Sequence, residues 1–208
     1  MATVLYLRNT TTNGITDTGD GVVYDMITAA GSAVDTDTVT LTDGGTEIQW
    51  TQTAGGSSIA WISGRVPSEG FTLTTTDISV WLSESNMNDE AEGRYRLFKY
   101  TPPVPVITEL LGGPFDDGAE LVPTTITEMT WVGNPTDTAF LENDRLILRL
   151  YATNFTTMTA GTANLQFNAA AAATGDSFLN LAETVAFKAE DTPVSTVKPR
   201  KMLMGIGQ

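Results

Sequence analysis

The chain contains no cysteine and no histidine. Without cysteine there is no disulfide and no thiol nucleophile. Without histidine, the commonest general base and zinc ligand are missing, as is the side chain that titrates near neutrality. Ser-His-Asp, Cys-His and His-ligated zinc mechanisms are therefore excluded. Positive charge is scarce too: 11 basic residues stand against 25 acidic ones, a net charge of −14. The body of the chain has no basic footprint, so neither nucleic acid nor an anionic membrane is expected as a partner. No apolar run reaches transmembrane length. The first residues, Met-Ala-Thr-Val-Leu-Tyr-Leu-Arg, lack a basic segment followed by a long apolar one, and read as a first strand and not a signal peptide.

What the chain does have is alternation. In Asn143–Thr153, Leu146, Leu148 and Leu150 fall on one face of an extended strand; Ile147, Arg149 and Tyr151 fall on the other. In Ile78–Ser83, Ile78, Val80 and Leu82 oppose Ser79, Trp81 and Ser83. A period of two marks strands with one buried face. These two segments read as inner strands of two packed sheets, and their six apolar residues as core. Eleven to thirteen short strands are expected along the 208 residues, with turn signals about every 8–12 residues. The expected fold is all-β, a jelly-roll-like antiparallel β-sandwich in one domain over residues 1–188. An extended C-terminal arm follows over residues 189–208.

Some local expectations are specific. Asp43-Gly44-Gly45 predicts a hairpin over Val39–Trp50. The prolines at 102, 103 and 105 predict a crossing between sheets. Gly112–Gly118 and Gly133–Thr138 read as loop and turn. The five alanines of Ala169–Ala173 are too few for an independent helix.

Candidate chemistry is thin. Asp17-Thr18-Gly19-Asp20-Gly21 fails the EF-hand spacing and reads as a turn. Asp116-Asp117-Gly118 with Glu120, and Asn88-Asp89-Glu90 with Glu92, read as solvated acidic loops. Glu84, Asp144 and Glu183 lie at strand ends, where a glycosidase carboxylate pair would sit, but no spacing motif joins them. Trp50, Trp61, Trp81 and Trp131 could form the stacking platform of a carbohydrate-binding module; their apolar surroundings favour core packing for most. No metal, phosphate loop or cofactor is expected.

Five stretches in order carry a resemblance: Ile59–Ser63, Ile78–Asn86, Arg94–Lys99, Asn143–Leu146 running to Leu150-Tyr151, and Gly175–Leu179 with Glu183-Thr184. Together they resemble β-sandwich structural proteins in the virions of tailed bacteriophages, among them capsid decoration and tail components. The resemblance spans residues 57–187, with the Glu-Ser-Asn turn and the Asp-Arg-Leu stretch its more particular parts. It implies a non-enzymatic virion protein, most simply a capsid decoration (cement) protein. The major capsid protein or tail proteins would be its partners, and it would be a homo-oligomer, commonly a trimer in such settings. Tail or receptor-binding components and a carbohydrate-binding module are the alternatives. The terminal segment, with Lys198, Arg200 and Lys201 followed by Met202, Leu203, Met204 and Ile206, is read as an assembly arm. Its cations would meet an acidic neighbour and its apolar residues would fill grooves.

Overall fold

The computed structural model describes residues 2–41, 46–52, 56–85, 90–115, 118–154 and 161–188. The assembly arm proposed at Lys198–Ile206 lies outside these residues, as do Asp43–Gly45, Asn88, Asp89, Asp116 and Asp117.

Fifteen strands make up the regular structure of the described residues. In chain order the strands are β1 (Thr3–Leu7), β2 (Val22–Ile27), β3 (Asp35–Thr40), β4 (Ile48–Gln49), β5 (Thr51–Gln52), β6 (Ser57–Ser63), β7 (Phe71–Leu73) and β8 (Thr76–Glu84). They continue with β9 (Ala91–Thr101), β10 (Val106–Pro114), β11 (Thr127–Gly133), β12 (Thr138–Phe140), β13 (Arg145–Asn154), β14 (Thr162–Phe167) and β15 (Phe178–Leu181). One hydrogen-bonded path runs β10-β9-β13-β6-β2-β1-β15-β8-β14-β3. It folds over on itself. Leu146, Leu148 and Leu150 of β13 and Ile78, Val80 and Leu82 of β8 are all buried in one apolar cluster, so the two halves of the path face each other. The all-β sandwich expected from alternation is the observed architecture. β13 is its axis: it pairs with β9 along its whole length, from Arg145↔Tyr100 to Asn154↔Ala91. In the facing layer β8 has the same role. β11 runs along one edge of β8, while β15 and β14 share the other.

The outer face of β13 is also covered. Ile147 is fully buried in a second cluster with Val23, Ala60, Ile62, Phe98 and Tyr100, against which Ile15 packs. The cover is the 9–21 segment. Asp25 of β2 anchors it by accepting hydrogen bonds from Thr10 Oγ1, from the backbone N–H and hydroxyl of Thr12, and from the N–H and Nδ2 of Asn13. Arg149 anchors it from β13: its Nη2 donates to Asp20 Oδ2 at 2.8 Å and to the Thr18 carbonyl at 2.9 Å. The same guanidinium lies 4.7 Å from the Phe98 ring centroid. Asp17 and Asp20, in the stretch that fails the EF-hand spacing, are committed to protein partners: Asp17 accepts from the Tyr100 hydroxyl and Asp20 from Arg149.

Four local expectations are corrected. Val39 and Trp50 do not belong to one hairpin: β3 pairs with β14 and β4 with β13. The sequence is apolar on both sides of Asp43-Gly44-Gly45 because Val39 and Trp50 enter the same core from different strands. The proline-rich stretch is no crossing, because β9 and β10 pair directly with Val106 opposite Thr101. Proline fixes φ and suits the turn of such a hairpin. β10 runs through Gly112 and Gly113 to Pro114, a residue tolerated there because β10 is an edge. β12, read as part of a turn and its exit, pairs with β7 and stacks Phe140 on Phe71 at 4.9 Å between ring centroids.

Tyr95 is a buried exception to polar satisfaction. Its ring packs against Trp131 and Phe115, and its hydroxyl has no hydrogen-bond partner among the described residues. Burial holds its phenol well above the usual range. A buried hydroxyl without a partner costs about 1–3 kcal/mol. Tyr95→Phe is therefore expected to keep or raise the melting temperature, by roughly 2–4 °C for each kcal/mol recovered. A clear fall on calorimetry would show that the hydroxyl is satisfied.

Candidate functional site

The long β9–β10 hairpin at one end of the hydrogen-bonded path is an accessible surface. β10 pairs with β9 from Val106↔Thr101 to Pro114↔Arg94, with a register shift between Glu109 and Leu111. Among the described residues its other edge joins no ladder. An open edge presents unpaired N–H and C=O groups and is a template for another chain. The turn into β10 and its first residue are apolar: Val104 is 76% exposed and Val106 55%. Its middle is charged. Glu109 lies 3.6 Å from Arg96, whose other amino nitrogen holds Glu47 at 2.6 Å. That hydrogen bond to Glu47 raises the Arg96 pKa, against burial, and the charges of Glu47, Glu109 and Tyr151 reinforce it. Arg96 also lies over the Tyr151 ring, 5.3 Å from its centroid. An apolar tip followed by a fixed charge gives the edge a direction, and with it a register for whatever pairs there.

The carboxylates singled out from sequence do different work. Glu84 is fully buried and accepts the N–H of Ala91. Asp144 receives Lys99 Nζ at 2.8 Å and the Leu141 N–H at 2.7 Å, fixing the turn into β13. Glu183 accepts the N–H and hydroxyl of Thr74. Each of the three thus has a structural partner of its own. Glu92 is buried beside Arg94, and burial raises its pKa more than that guanidinium lowers it. Glu120 bridges Glu92 through the backbone. Among the described residues no three acidic groups gather as metal ligands.

The tryptophans divide. Trp50 and Trp61 are fully buried, and the Trp61 indole donates to the Arg8 carbonyl at 3.1 Å. Trp131 is half-buried against Tyr95. Trp81 is half-buried on the outer face of β8. A four-tryptophan platform is therefore absent, and only Trp81 stands on an outer sheet face beside other aromatic residues. Its neighbours there, Tyr6 and Phe178, carry no signal in sequence beyond their place in the alternation of β1 and β15.

No protein-family model matches the chain, and no curated protein does. Solved structures do match in fold. A CocE/NonD family hydrolase from Staphylococcus aureus aligns over 90% of this chain and 36% of its own, at 10% identity and a TM-score of 0.57. An aminopeptidase from a marine-sediment Thaumarchaeota archaeon aligns over 89% and 37%, at 11% identity and a TM-score of 0.58. An α-amino acid ester hydrolase aligns over 89% and 36%, at 8% identity and a TM-score of 0.55. At such identities the likeness is one of fold, and this chain spans little more than a third of each of those chains. The expectation of a non-enzymatic protein is corrected by this finding. The β-sandwich is a fold built into chains named as hydrolases, which the resemblance over residues 57–187 does not anticipate.

Proposed function

We propose that the chain is a β-sandwich contact module of a larger assembly, and that this assembly is the virion of a tailed bacteriophage. The observation that carries the contact reading is β10, a nine-residue edge strand with an apolar, exposed start. Pairing along such an edge supplies backbone hydrogen bonds, and alternate side chains supply specificity. The link to a virion rests on the resemblance over residues 57–187. On the head surface the module would bridge neighbouring capsid subunits, and binding only the assembled lattice would stabilise it by mass action. The partner is then the major capsid protein, and a trimer of this chain would match the local symmetry of such sites.

Antibody-gold electron microscopy on intact virions tests the reading. Label spread over the head supports it, label on the tail moves the partner to tail proteins, and unlabelled virions overturn it. The edge has its own test in Val104→Lys with Val106→Lys. Both positions are exposed, so stability should stay within about 0.5 kcal/mol of wild type. Copies per virion should fall several-fold, and unchanged incorporation would remove β10 as the contact.

A second reading is favoured by the fold likeness over nearly the whole described chain: a β-sandwich domain belonging to a hydrolase. Release of p-nitrophenol from an amino-acid p-nitrophenyl ester by the purified chain would support it.

A further inference from the structure

We propose that the outer face of β1, β15, β8 and β11 carries a binding site for a neutral oligosaccharide, with Trp81 as the stacking surface and Asp176 and Asn180 as hydroxyl acceptors. A cavity of about 570 Å³ opens on this face, under the alanine turn that precedes β15. That is within the usual range of organic-ligand pockets, about 300–1,000 Å³.

Register builds the wall. Tyr6 of β1 lies opposite Phe178 of β15, Phe178 lies opposite Ser79 of β8, and Trp81 lies opposite Glu128 of β11. Leu5, Leu179, Val80 and Leu82 point to the core, so Tyr6, Phe178 and Trp81 must point out. Tyr6 and Phe178 meet edge to face, 6.1 Å between centroids and 67° between planes. Three aromatic groups therefore line one side of the cavity. Aromatic faces carry negative charge density and attract the polarised C–H groups on the flat side of a pyranose.

Polar groups complete the site. Asp176 is 5% exposed and one of its oxygens holds the Ala172 N–H, while Oδ1 has no partner among the described residues. Asn180 donates to Asp77 through Nδ2, and its Oδ1 likewise has no partner among them. Glu128 accepts the Ser79 hydroxyl. Burial raises the Asp176 pKa, and the charge of Glu128 adds to it against the Ala172 hydrogen bond, as fits a carboxylate short of donors. Buried acceptors without donors are rare in native proteins and call for a ligand or water. Sugar hydroxyls are donors that also accept, so they satisfy a carboxylate and an amide side by side. The cavity is much larger than a single ammonium or guanidinium head, which argues for a ring system over a lone cation.

The test uses the full chain and four saccharides: cellotriose, maltotriose, galactobiose and N,N′-diacetylchitobiose. Isothermal titration and tryptophan emission are read together. At least one saccharide is expected to bind with a millimolar or tighter Kd and to shift the emission of Trp81. Trp81→Ala should weaken that binding about tenfold or more, and Asn180→Ala should do so with an unchanged thermal melt. Val104→Lys, at an exposed position outside the cavity lining, should retain the binding. No heat with any of the four saccharides would overturn the proposal, as would binding that survives both Trp81→Ala and Asn180→Ala. Heat with L-arginine alone would overturn it in favour of a cation site. The titration needs no virion, so its outcome is separate from that of the assembly reading.

Discussion

Leu148→Asp is expected to abolish folding. Leu148 is fully buried at the middle of β13, between Leu97 on β9 and Trp61 on β6 in the sheet register. Removing the leucine side chain forfeits about 1.5–3 kcal/mol of apolar burial. Placing a carboxylate there adds a desolvation cost of several kcal/mol, with no cation in the surrounding apolar cluster to offset it. The total reaches the range of a whole domain's stability, about 5–15 kcal/mol. The expected result is insoluble protein, or soluble protein with no cooperative melt by circular dichroism. Leu148→Met, which keeps volume and chemistry, should cost less than about 1.5 kcal/mol. A cooperative melt of the aspartate variant near the wild-type temperature would refute the position of the core.

Asp25→Ala is the second large effect, and it reports on the 9–21 segment. Asp25 is 3% exposed, and five donors converge on it from Thr10, Thr12 and Asn13. Alanine would leave those donors without their acceptor beside a buried Asn13. A hydrogen bond to a charged group contributes about 1.5–3 kcal/mol, so a loss of about 3 kcal/mol or more is expected. For a chain of this size that is a fall of roughly 6–12 °C. The pH dependence has a definite sign. Burial alone would raise the Asp25 pKa, but the hydrogen bonds from Thr10, Thr12 and Asn13 outweigh it and hold it below the ordinary value. A carboxylate with a depressed folded pKa contributes stability above its unfolded pKa, about 3.9, and loses it as pH falls through the folded value. Wild type should therefore lose stability more steeply than Asp25→Ala below about pH 4. Parallel acid limbs for the two proteins would show that Asp25 does not hold the segment.

The same segment marks where sequence reasoning stopped. The inner faces of β13 and β8 were legible because each buries one side, and burial on one side writes a period of two. The outer face of β13 carries Ile147, Arg149 and Tyr151, a mixture that names no environment. It is mixed because its cover is a loop that binds by hydrogen bonds and one ion pair, with Ile15 as its apolar contribution. Such a loop has no periodicity and looks solvated. The Val39–Trp50 hairpin failed for another reason: a turn signal is local, while the partner of each flank is chosen by the core. The outer cavity was hidden for a third. Tyr6 and Phe178 become neighbours only through the β1–β15 ladder, and nothing local to either residue foretells it.

That ladder also sets an order of events during synthesis. Thr3 pairs with Leu181, and β1 is the link between β2 and β15 in the hydrogen-bonded path. At a translation rate of about 5–20 residues per second, roughly 10–35 s pass between the making of β1 and of β15. During that interval β1 and β8 have edges awaiting a strand not yet made. A net negative charge on the nascent chain opposes the meeting of such edges with those on neighbouring ribosomes, a task for the acidic composition before the protein has any fold at all.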